Sequence, residues 1–230
     1  MADQLFASKA QEFVATWPKT AREAAETMMD RYGQPDEATP TRLTWFRRGP
    51  WKRIEVHKEE VPHRFPKPHG DVLLQAIDYR VPLGRFDEVA RFDGSVLPDR
   101  TRGELTARCD KEEMNILALN IADQICRGRR KAADARELYA EQAMLFMSGQ
   151  DAPYTERLRM RVRSGATADK DRPMVMRPMA RTITGKSQRR SRRIRARGLP
   201  GRRTPASIRT NVVSGVRAPV GQRTRRIPQR

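Results

Sequence analysis

All 14 aromatic residues of this chain lie at or before Tyr154, and the formal charge breaks at nearly the same place. Residues 1–160 hold 26 Lys and Arg against 26 Asp and Glu, whereas residues 161–230 hold 21 against 2, so the whole excess of +19 falls in the last stretch. A segment with nothing large to bury does not offset the entropy of ordering it, and its like charges repel one another. The reading is therefore one globular domain over residues 1–160 and a disordered basic tail over residues 161–230. A domain of that length buries roughly two-thirds of the surface its unfolded chain exposes, which is enough to fold without staples.

Within the domain, Arg102–Gly128 reads as a strand running straight into a long apolar helix. Leu105 and Ala107 alternate with Glu104, Thr106 and Arg108, the period of a half-buried strand. Asp110 is placed to cap the helix with Glu113 reaching back, and Met114, Leu117, Ala118, Ile121, Ala122 and Ile125 then recur at helical spacing. Ile116, Leu119 and Cys126 carry the apolar surface round the cylinder, so the helix is expected to be buried, and Gly128 ends it. Cys109 and Cys126 lie near its two ends. At about 1.5 Å per residue they stand roughly 25 Å apart, too far for a disulfide.

Two helices are expected before residue 33, broken at Pro18, and a hairpin over Thr41–Lys58 centred on Arg48-Gly49. In that register Leu43 faces Ile54, Trp45 faces Lys52 and Phe46 faces Trp51. Leu43, Trp45, Ile54 and Val56 then share one face, and Phe46, Trp51, Arg53 and His57 the other. VPHRFPKPH, Val61–His69, carries three prolines and reads as extended chain; a strand follows near Ile77–Val81, and a last helix spans Ala132–Met147. The fold class is α+β: a small, mainly antiparallel sheet with helices packed on one side, followed by the disordered Arg-rich tail.

The candidate sites are few. Phe46 and Trp51 among Arg47, Arg48, Lys52 and Arg53 suggest a stacking platform for single-stranded nucleic acid, with Arg47, Arg48, Trp51 and Arg53 as its contacts. The plainer alternative is a cross-strand aromatic pair covered by a helix. In the tail, Arg189, Arg190, Arg192, Arg193, Arg195 and Arg197 suit non-specific contact with nucleic-acid phosphates, although a GC-rich gene read in a shifted frame gives a similar composition.

The three histidines, His57, His63 and His69, invite a metal, but about 3.1 Å per residue of extended chain puts the last two roughly 19 Å apart. No H-x-x-x-H or C-x-x-C pair occurs, so no metal is assigned. The conceivable ligands from separate strands are His57, His69, Asp71 and Cys109. Arg102, Glu104, Cys109, Asp110, Glu112 and Glu113 form the densest reactive group, with Cys109 as a nucleophile if a base lies near it. No glycine-rich phosphate loop occurs, and no cofactor is assigned.

Unpaired cysteines and the absence of a secretory pattern at the N-terminus point to the cytoplasm, and no apolar run suits a membrane span. The leading expectation is a binding or interaction module with an unidentified protein or ligand as partner. The alternatives are a nucleic-acid-associated protein acting through the tail and a thiol- or metal-dependent enzyme centred on Cys109.

Overall fold

The computed structural model describes residues 2–162 and 167–174. Helices α1 (Ala2–Ala15) and α2 (Lys19–Tyr32) lead into strands β1 (Glu37–Thr39), β2 (Arg42–Arg48), β3 (Trp51–His63) and β4 (His69–Asp78). A short helix α3 (Phe86–Phe92), strands β5 (Val96–Asp99) and β6 (Glu104–Cys109), and helices α4 (Glu112–Cys126) and α5 (Ala132–Met147) follow. The six strands form one sheet in the order β1-β2-β3-β4-β6-β5, with every neighbouring pair antiparallel. Helices α2 and α4 pack on one face of this sheet, and α5 packs on α3 and α4. The fold is α+β with its helices on one side. Among the described residues no helix is long and apolar enough to cross a membrane.

The first hairpin turns at Gly49-Pro50 and not at Arg48-Gly49. Arg48 pairs with Trp51, Trp45 with Ile54 and Leu43 with Val56, two residues from the expected register. Pro50 has no N–H to give to a ladder, and Gly49, at φ 53°, takes a left-handed turn position that suits glycine. A two-residue shift leaves the faces unchanged, because side chains alternate with period two. Leu43, Trp45, Ile54 and Val56 are accordingly all buried against the helices.

Helix α4 runs through the core, with every residue except Glu113 and Gln124 buried. Its start corrects the sequence reading. Lys111, not Asp110, occupies the position before the first turn, and no side chain caps it. The first acid is used elsewhere: Glu112 accepts from the Tyr32 hydroxyl at 2.8 Å and from Gln75 Nε2 at 2.9 Å, and pairs with Arg31 at 3.0 Å. This buried carboxylate thereby ties α4 to α2 and β4.

Strand β6 is covered on both faces. Glu104 is held by Lys52 at 2.9 Å and Arg53 at 3.1 Å, and the Thr106 hydroxyl donates to the Leu97 carbonyl at 3.0 Å. The compact unit also extends beyond residue 160, to Met174. Arg80 donates to the Thr167 carbonyl at 3.1 Å, and the Asp169 N–H donates to the Arg100 carbonyl at 3.1 Å. A side chain at Gly103 would run into the backbone of Thr167 and Ala168, so this crossing depends on glycine.

Candidate metal centre

The second hairpin, β3–β4, places the histidines where the sequence did not suggest. From Arg53 to Val56, β3 pairs with β4 in one register; from Val61 to His63 it pairs in another, with an irregularity between them. Arg53 faces Ala76, whereas His63 faces His69, a shift of three residues. An odd shift exchanges the faces of a strand. Arg53 and His57 therefore point to the open face, and His63 to the face that carries His69, Asp71 and Leu73.

The chain turns back through Arg64–Pro68 instead of running extended, and the His63 and His69 rings end with centroids 5.0 Å apart, not roughly 19 Å. Phe65, in this turn, lies on Tyr139 of α5 with ring centroids 5.1 Å apart, and the Arg136 guanidinium sits 3.8 Å above its ring. These contacts hold the hairpin tip against α5.

His63, His69 and Asp71 each offer a ligating atom, and the three atoms all lie within 4.8 Å of one another. His69 Nδ1 lies 2.8 Å from the Lys67 carbonyl; a carbonyl only accepts, so Nδ1 carries the hydrogen and Nε2 is the nitrogen left for other work. Asp71 Oδ1 lies 3.1 Å from that Nε2 and Cys109 Sγ 3.4 Å from it. The Ser95 hydroxyl donates to Asp71 Oδ2 and lies 3.4 Å from His63 Nδ1, while His63 Nε2 lies 3.5 Å from Asp93 Oδ1.

The decisive atom is Asp71 Oδ1. Asp71 is 1% exposed, and this oxygen receives no aligned hydrogen bond; its near neighbour is His69 Nε2 at 3.1 Å, an ion pair when that imidazole is protonated. A buried carboxylate oxygen placed against an imidazole nitrogen calls for a cation between or on them, a proton on the imidazole or a metal ion. Asn115 Oδ1 and Thr44 Oγ1 are also unpaired, but both belong to neutral groups. The neighbourhood accounts for the protonation states. Asp71, followed by Cys109, pushes the His69 imidazole up to about 11, and burial pushes the Cys109 thiol up despite His69. Burial also raises Asp93.

This arrangement differs from a nucleophile relay. In a relay the carboxylate holds the imidazole nitrogen opposite the one that serves the nucleophile. Here the thiol and the carboxylate converge on the same nitrogen, and a backbone carbonyl holds the other. Groups that converge on one point, with the far nitrogen of a histidine fixed by a carbonyl, have the form of a metal-ligand set with its supporting partners. Of the ligands conceivable from sequence, His69 and Asp71 lie in one close group, and Cys109 Sγ stands 3.4 Å from His69 Nε2. His57 does not: it lies on the open face, 3.1 Å from Glu55, and His63 stands in its place.

The other reactive side chains near Cys109 in sequence disperse. Glu104 belongs to the Lys52–Arg53 cluster, Glu112 to Tyr32 and Gln75, and Glu113 to Arg31 at 3.2 Å. Only Asp110 stays, accepting from Cys109 Sγ at 3.4 Å.

The aromatic platform of the first hairpin does not form. Trp51 is 1% exposed, and its indole N–H donates to the Tyr32 hydroxyl at 3.0 Å; Phe46, 41% exposed, faces Arg53 across the strands instead. Arg47 pairs with Asp78 at 2.7 Å, Arg48 with Asp36 at 2.7 Å, and Arg53 with Glu55 and Glu104. Arg189, Arg190, Arg192, Arg193, Arg195 and Arg197 lie outside the described residues.

His63, Asp93 and Ser95 are the members of the site that sequence reasoning missed. The signal available for them was the proline-rich turn between two histidines, which serves a tight reversal as well as extended chain. Comparison of the chain with protein-family models, with curated proteins and with solved structures finds no match.

Proposed function

We propose that this chain is a binding domain whose ligand is a divalent transition-metal ion, held by His63, His69 and Asp71 at the tip of the β3–β4 hairpin. The observation that carries the reading is the buried Asp71 carboxylate between two imidazoles, Oδ1 standing 3.1 Å from His69 Nε2 without an aligned hydrogen bond and Oδ2 3.5 Å from His63 Nδ1. Two imidazoles and a carboxylate are a donor set for zinc-like ions more than for magnesium or calcium, which prefer oxygen ligands throughout. A compartment in which Cys109 and Cys126 remain thiols, such as the cytoplasm, fits the same reading; both cysteines are free and buried.

The test is calorimetric titration of the full chain, stripped with EDTA, with zinc chloride. One ion per chain is expected, with His69→Ala weakening the affinity by at least about tenfold, as loss of a ligand or its support does. Absence of stoichiometric binding, or unchanged affinity in His69→Ala, overturns the reading.

A second reading, non-specific nucleic-acid binding, is carried by the 19 arginines of residues 161–230. It places the contacts in that segment, because the hairpin arginines are committed to acids of the domain. A chain ending at Met174 is then expected to lose the salt-sensitive RNA binding of the full chain. Equal binding by the two chains rejects this second reading.

A further inference from the structure

We infer that Cys109 is the fourth ligand of this site, which makes it a closed His63–His69–Asp71–Cys109 set that takes zinc or cobalt and fastens the hairpin tip to the β6–α4 junction. This rests on the cation reading above and adds the thiolate to it, and with the thiolate the class of metal and its role.

Cys109 is the last residue of β6 and pairs with Leu73, two positions along β4 from Asp71. The sheet alternation therefore sets Cys109, Asp71 and His69 on the same face, and Cys109 is 4% exposed there. Tetrahedral zinc with bonds of about 2.0 Å to nitrogen and oxygen and about 2.3 Å to sulfur has nitrogen–sulfur edges of roughly 3.5 Å and nitrogen–oxygen edges of roughly 3.3 Å. The corresponding separations from His69 Nε2 are 3.4 Å to Cys109 Sγ and 3.1 Å to Asp71 Oδ1. Both edges that meet at this nitrogen are thus close to the lengths a tetrahedral ion requires; Cys109 Sγ stands outside the trio whose atoms all lie within 4.8 Å of one another, and closes on the ion by turning about its Cα–Cβ bond.

The supporting shell is also in place. The Lys67 carbonyl fixes His69, the Ser95 hydroxyl fixes the second oxygen of Asp71, and Asp93 stands beside His63 Nε2, which leaves His63 Nδ1 for the ion. A small pocket lined by Cys109 and His69 with Met114, Tyr139, Ala143 and Phe146 reaches this side of the set. Binding releases the thiol proton and any proton on His69 Nε2 to solvent, and the metal takes the electron pairs so freed; nothing is oxidised or reduced. Four protein ligands leave no open position for a substrate, so the ion's role is structural. It joins the hairpin at residues 63–71 to the start of α4, which sequence separates widely.

The experiment is titration of the EDTA-stripped full chain with cobalt chloride, followed by absorption, for the wild type and for Cys109→Ser. In the wild type a thiolate-to-cobalt charge-transfer band in the near ultraviolet and intense visible bands of four-coordinate cobalt are expected, saturating at one ion per chain. In Cys109→Ser the charge-transfer band should vanish and the affinity fall by at least about tenfold.

Wild-type binding of one cobalt without that band, or a band that survives Cys109→Ser, overturns the inference and leaves the three-ligand site standing. No cobalt binding in the wild type overturns both. Should Cys109→Ser fail to fold, X-ray absorption of the zinc-loaded wild type decides: a sulfur shell at about 2.3 Å supports the thiolate ligand, and a shell of nitrogen and oxygen alone overturns it.

Discussion

Replacing Asp71 by Asn keeps the size of the side chain and the oxygen that receives Ser95, but removes the charge that faces the two histidines. A ligand that binds only the folded chain stabilises it by RT ln(1 + [L]/Kd), about 2.7 kcal/mol at a free concentration of one hundred times Kd. For a domain of this size each kcal/mol moves the melting midpoint by about 2–4 °C, so zinc at that concentration should raise the wild-type midpoint by about 5–11 °C. In Asp71→Asn the same zinc concentration should move the midpoint by less than about 2 °C, because a carboxylate ligand has become a neutral amide.

The assay is differential scanning calorimetry of each protein with EDTA and with zinc, the midpoint of each variant being compared with its own EDTA value. This removes any effect of the substitution on the metal-free fold. His57→Ala is the control: its imidazole lies on the other face beside Glu55, and the variant should keep the full shift. An equal zinc shift in Asp71→Asn and wild type, or loss of the shift in His57→Ala, would refute the placement of the ion.

Tyr32→Phe should cost about 2–4 kcal/mol in urea unfolding, since the hydroxyl both accepts from the buried Trp51 indole and donates to the buried Glu112; a change under about 0.5 kcal/mol would show the network to be idle. Glu55 is held down to about 2, chiefly by its hydrogen bond from His57 and, against burial, by Arg53. Its contribution is therefore complete above its ordinary value of 4.5 and lost as pH falls toward about 2. The difference in melting midpoint between wild type and Glu55→Gln should accordingly shrink as pH falls from about 5 toward about 2; a difference that grows over that range contradicts the pairing. A chain ending at Met174 should melt as the full chain does, whereas one ending at Val162 should melt lower for want of the Thr167–Asp169 contacts with Arg80 and Arg100; equal midpoints would mean that those contacts contribute nothing.

The parts of the fold legible from sequence were those governed by local pattern. The apolar run from Met114 to Cys126 announced a buried helix, and alternation in β2 and β3 placed Leu43, Trp45, Ile54 and Val56 on the core face even with the turn misplaced, because a two-residue error preserves parity. What failed depended on contacts distant in sequence. Asp110 and Glu113 have the spacing of a capping box, but Tyr32 and Gln75 draw Glu112 into the core and set the helix start one residue later.

Trp51 looked like an exposed partner of Phe46 because nothing near it in sequence shows that the Tyr32 hydroxyl receives its indole. The candidate site was hidden by two features together. A turn through Arg64–Pro68 cancels the length of the extended chain, and an irregularity between Val56 and Val61 moves His63 to the opposite face from His57. The prolines of the turn serve a reversal as well as extended chain, and the irregularity leaves no pattern in a single sequence.

The most direct measurement is a crystal structure of the zinc-soaked full chain with anomalous data collected on both sides of the zinc absorption edge. The expected result is one strong anomalous peak among His63, His69, Asp71 and Cys109, with bonds of about 2.0–2.3 Å to their nitrogen, oxygen and sulfur atoms. No peak there, or a peak at His57 and Glu55 instead, would contradict the assignment of a metal centre to the β3–β4 hairpin.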